Sequence, residues 1–88
     1  MKNNMKQHIT KEQWNELTPA QRQRFLSTVG WDKFKQGELP SIGDLIEFLG
    51  DKWQFIVCYH SSFGDIALRP DNLCDALFES VSYKLSTA

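Results

Sequence analysis

Trp53-Gln54-Phe55-Ile56-Val57-Cys58-Tyr59-His60 is the stretch on which the fold turns. Read with a period of two, it places Trp53, Phe55, Val57 and Tyr59 on one face and Gln54, Ile56, Cys58 and His60 on the other, the alternation of a strand. Ser61-Ser62-Phe63-Gly64 then reads as a turn and Asp65 to Arg69 as a short return strand, so the segment predicts an antiparallel β-hairpin. A lone two-stranded hairpin is marginal in water, so this one has to pack against helices.

The flanks supply those helices. Upstream, Ser41 can cap a helix with Asp44 at the box position, and Ile42, Leu45, Ile46 and Leu49 fall at i, i+3, i+4 and i+7 before Gly50 ends it. Further back, Thr10 with Gln13 and Thr18 with Gln21 repeat the capping box, with Pro19 at a first helical position where a missing N–H costs nothing. The helix that follows Thr18 carries Phe25, Leu26 and Val29 and stops at Gly30. Trp31 to Pro40 reads as a loop, with one helical turn at Asp32–Lys35. Downstream, Pro70 and Asp71 open a last helix whose apolar stripe is Cys74, Leu77, Phe78, Val81 and Leu85, with Asp75 and Glu79 on a solvated side. The expected fold is α+β in the order α-α-α-β-β-α, a hairpin packed on helices. It forms a single domain over 9–85, with a flexible N-terminal segment at 1–8 and a tail at 86–88.

Eighty-eight residues make one domain with one modest core and no deep cleft between lobes. Three Trp and six Phe are a heavy aromatic load for this length, to be spent in the core or as anchors in a partner interface. Met1 to Thr10 is polar, and no apolar run approaches the ~20 residues of a spanning helix, so the expected setting is a cytoplasm. Cys58 and Cys74 are too few for a disulfide framework and read as reduced thiols.

Charge is sorted along the chain. Residues 1–37 carry seven Lys/Arg against three carboxylates, a balance of +4. Residues 38–79 carry eight carboxylates against Lys52 and Arg69, a balance of −6, and Lys84 completes the net of −1. A near-neutral total thus hides a dipolar molecule, a pattern that points to a charged partner.

Catalytic and cofactor chemistry finds little purchase. Cys58, His60 and Cys74 are three candidate metal ligands where a zinc site normally wants four. As a nucleophile and base, Cys58 and His60 would lie ~7 Å apart on a strand with no orienting third residue. The glycines are isolated and form no phosphate loop. The expectation is a non-enzymatic protein without metal or cofactor. Two binding readings follow. Asp44, Glu47, Asp51, Asp65, Asp75 and Glu79 would form an acidic face for a basic protein partner, steering it at long range. Alternatively, Arg22, Arg24, Lys33 and Lys35 would grip nucleic-acid phosphates. The second reading is the weaker, because the loop before the third helix is about ten residues where a helix-turn-helix wants three or four. That third helix also bears Asp44 and Glu47 instead of base-reading side chains.

The segment Ile42-Gly43-Asp44-Leu45-Ile46-Glu47-Phe48-Leu49-Gly50-Asp51, with Leu73-Cys74-Asp75-Ala76-Leu77-Phe78-Glu79-Ser80-Val81 further on, resembles a group of small uncharacterised proteins encoded by phages and prophages of Gram-positive bacteria. Ile9-Thr10-Lys11-Glu12-Gln13-Trp14-Asn15-Glu16-Leu17 is similar to their usual start. The resemblance brings no active site. It implies a small accessory protein in the cytoplasm of a bacterial host that binds and blocks or redirects a host protein, host defence machinery included.

Overall fold

The computed structural model describes residues 7–30 and 37–86. Among the described residues five helices follow one another: α1 (Lys11–Glu16), α2 (Pro19–Val29), α3 (Ile42–Leu49), α4 (Trp53–His60) and α5 (Pro70–Ser86), with a 3-10 turn at Gly64–Ile66 between the last two. Residues 1–6 of the expected flexible segment 1–8, the helical turn at Asp32–Lys35 and residues 87–88 of the expected tail 86–88 lie outside the described residues.

The three expected capping boxes are all present. Thr10 and Thr18 each accept a hydrogen bond from the backbone N–H three residues on, and their own N–H groups donate in return to Gln13 Oε1 and Gln21 Oε1. At α3, the Ser41 N–H and hydroxyl both donate to Asp44 Oδ2 at 3.0 Å, while the Asp44 N–H donates to Ser41 Oγ at 3.3 Å. These local bonds satisfy N–H groups that a helix start otherwise leaves open, which is why such short helices begin where they do. Gly50 closes α3 at φ +92°, a conformation only glycine adopts without strain, and its N–H donates to Ile46 O at 2.9 Å.

The α+β expectation is overturned. The described residues contain no strand, only an isolated antiparallel bridge between His8 and Ser41, and the fold is all-helical. The first half of the expected hairpin is α4, and the return strand Asp65–Arg69 is replaced by the 3-10 turn and the bends that lead into α5. Period two and period 3.6 both fit an eight-residue apolar run, since Trp53, Ile56, Val57 and His60 also stand at i, i+3, i+4 and i+7. Burial shows which period holds. Val57 is fully buried and Trp53 and Ile56 pack against the core, whereas Phe55 and Tyr59 are 77% and 84% exposed. On a strand those two would have shared the inward face with Trp53 and Val57. A helix satisfies its backbone within itself, while a two-stranded ribbon leaves two open edges, and with α5 available to cover one apolar stripe the helix is the better solution.

The long helix α5 forms the centre, with α2, α3 and α4 packed against it. Its expected stripe is fully realised: Cys74, Leu77, Phe78, Val81 and Leu85 are buried, as are Ala76 and Ser80, whose hydroxyl donates to Ala76 O within the same helix. Small side chains at these positions allow close approach of neighbouring elements. Phe25 of α2 bridges Trp14 of α1, edge-on at 5.9 Å, and Phe48 of α3, tilted at 5.2 Å. The N-terminal strap is fixed by Ile9 N–H to Pro40 O at 3.1 Å and Ile42 N–H to Gln7 O at 2.9 Å, with Ile9 buried.

Candidate functional site

A groove of about 760 Å³ runs over the polar side of α5. Asp75, Glu79, Ser82, Tyr83 and Ser86, at i, i+4, i+7, i+8 and i+11, form its base. Gln13 and Glu16 of α1 form one wall; His60, at the end of α4, and Phe63, in the turn that follows, form the other. Three carboxylates line it, and no Lys or Arg does among the described residues. The imidazole of His60 stacks on Tyr83, with centroids 4.2 Å apart and planes at 17°, and Tyr59 meets it in a T-shaped contact at 5.1 Å.

Two of these carboxylates also hold the fold. Glu79 accepts the Ser62 N–H at 2.6 Å and the Ser62 hydroxyl at 2.9 Å, tying the turn after α4 to α5. Asp75 accepts from Gln13 Nε2 at 3.0 Å, so the residue that completes the first capping box also joins α1 to α5. The side expected to be merely solvated is half-buried at both positions.

The six acidic candidates are divided among several places. Asp75 and Glu79 share the groove, joined by Glu16, which the sequence reading did not single out. Glu47 and Asp51 border a separate depression of about 370 Å³ with Ile46, Gly50 and Trp53. Asp44 is half-buried and engaged in the α3 cap, and Asp65 is exposed on the 3-10 turn. Of the basic candidates, Arg22 donates through Nε and Nη2 to Leu17 O, and Arg24 through Nη1 to Leu85 O. Lys33 and Lys35 lie outside the described residues. Cys58 is half-buried on α4, Cys74 is buried in α5 and His60 is taken up in its stack. On a helix, Cys58 and His60 do not share a face as they would on a strand. Among the described residues no group of three or more His, Cys, Asp or Glu is placed to hold a metal.

The aromatic residues Phe55, Tyr59 and Tyr83 stand outside the expected site, since the strand reading places the first two on one face with Trp53 and Val57. A helical wheel of 53–60 places Phe55 and Tyr59 at i, i+4, away from Val57, and would have found them. Fold and site together define a small all-helical domain with an acidic, aromatic-walled groove. The chain matches no known family model, no curated protein and no solved structure. No helix among the described residues is long and apolar enough to cross a membrane.

Proposed function

We propose that this protein is a non-enzymatic protein-binding module whose acidic surface docks a basic partner protein. The observation that carries this reading is the groove itself, where Glu16, Asp75 and Glu79 stand beside exposed aromatic rings with no Lys or Arg on its lining among the described residues. A concave anionic surface attracts a cationic partner at long range, and its aromatic wall adds contact area at short range. The likeness to small phage and prophage proteins supports the finer reading, a modulator or inhibitor of a host protein in the bacterial cytoplasm.

The test is capture of partners from nuclease-treated host lysate, followed by reconstitution with the purified partner. The complex is expected to form without nucleic acid and to loosen steeply between low and physiological salt. A complex indifferent to salt, or one that vanishes with nuclease, would refute the reading.

A further inference from the structure

We infer that the docking face is the aromatic surface joining α4 to α5, Tyr59–His60–Tyr83, and that its occupant is an arginine-bearing segment of another protein lying along the groove. This rests on the proposed function and names the partner chemistry. The surface is continuous, since Tyr59 meets His60 edge-on and His60 lies flat on Tyr83, the ring that enters the groove lining. Beyond the contacts among its own rings it stays exposed: Tyr59 is 84% exposed, Tyr83 47%, and Phe55 lies one turn before Tyr59 on the same side of α4 at 77%. Large rings so exposed on adjoining helices, beside a concavity, are the pattern of an interaction surface.

Charge complementarity names the occupant. Beyond Tyr83, the same groove presents Glu16, Asp75 and Glu79. Glu79 accepts two bonds from Ser62, yet a carboxylate has about four acceptor sites, so it can take a further donor, while Asp75, engaged by Gln13, adds its negative charge. A side chain that lies flat on an aromatic ring while its edge reaches carboxylates must be planar, cationic and rich in donors. Guanidinium is all three, whereas the lysine ammonium is a compact, strongly hydrated point charge. The base from Asp75 to Ser86 spans about 16 Å of helix, room for about five residues of extended chain or three turns of helix.

The experiment titrates the full protein with three synthetic twelve-residue peptides of one sequence, carrying arginine, lysine or neutral citrulline at the same positions. Binding is followed by calorimetry and NMR on wild type, Tyr83→Ala and Glu16→Gln, with melts to show that each variant folds. The arginine peptide is expected to bind about three- to fivefold more tightly than the lysine peptide, and the citrulline peptide not measurably. Tyr83→Ala should erase the preference for arginine, and Glu16→Gln should weaken both cationic peptides. Arginine and lysine peptides binding wild type equally, with Tyr83→Ala without effect, would overturn the inference while leaving an acidic docking surface standing. Absence of binding by either cationic peptide would overturn both. Tighter binding of a short duplex DNA at physiological salt would overturn the inference in favour of nucleic acid. Self-association abolished by Tyr59→Ser would assign the aromatic face to a second copy of this chain and overturn it as well.

Discussion

Arg24 Nη1 donates to the Leu85 carbonyl at 2.8 Å, so a guanidinium from α2 closes the C-terminal end of α5. Two other cations do the same elsewhere. Arg22 places two donors on Leu17 O at the C-cap of α1, and Lys84 donates to Phe48 O near the end of α3, with its ammonium 4.9 Å from the Phe48 ring centre. A helix C-terminus carries unpaired carbonyls and the negative end of the dipole, so a cation there serves both needs. Arg22 and Arg24, two of the four residues expected to grip phosphates, therefore also join helices to one another.

Arg24→Ala is expected to lower stability by about 1 kcal/mol, a modest value because the side chain is exposed. In an 88-residue chain that corresponds to a fall in Tm of about 4–8 °C. Urea melts check it. An unchanged midpoint would mean that the bond to Leu85 O adds nothing to folding.

Phe78 sits in the buried stripe of α5, at 5% exposure. Phe78→Ala should cost about 3–5 kcal/mol, much of what a small domain has. A thermal melt within a degree or two of wild type would contradict the placement of α5 at the centre of the core.

Substitution should not act alike on the two acidic clusters. Asp51 and Glu47 are exposed, and Glu47→Lys with Asp51→Lys is expected to shift stability by less than about 1 kcal/mol in total. Glu79→Ala removes both acceptors of Ser62 and should cost about 1–2 kcal/mol, with Glu79→Gln in between because it keeps one carbonyl oxygen. Denaturant melts of the three variants give the ranking; equal midpoints for Glu79→Ala and wild type would show that the turn needs no tie to α5.

Signals confined to a few neighbouring residues were legible in the sequence. The boxes at Thr10, Thr18 and Ser41 rest on side chains that reach their own backbone, and the stops at Gly30 and Gly50 rest on a single conformational freedom. The stripe of α5 was legible because five apolar residues spread over three turns fit only one period. Residues 53–60 were not, because in eight residues a strand face and a helix face overlap at Trp53 and Val57, and the choice belongs to tertiary packing. That one misreading also hid the site. It put Phe55 and Tyr59 on the same face as Trp53 and Val57, and it gave no reason for His60 to approach Tyr83 or Glu16 to approach Glu79, whose meeting depends on how α1 and α4 lie against α5.

The helical reading of 53–60 can be tested with two single substitutions. On a strand, Phe55 and Val57 would share the inward face, so truncating either would cost comparable stability. In the helix they part company, Val57 fully buried and Phe55 77% exposed. Val57→Ala is therefore expected to cost about 2 kcal/mol through lost contacts and the cavity left behind. Phe55→Ala should change stability by less than about 0.5 kcal/mol, since it removes little buried area and alanine is the stronger helix former. Paired urea melts measure both, with Phe55→Ala also reported by the helical circular dichroism signal, which should hold or rise slightly. If the two variants fall together, residues 53–60 are paired as a strand after all. If Val57 alone falls, the aromatic face of α4 is open to a partner.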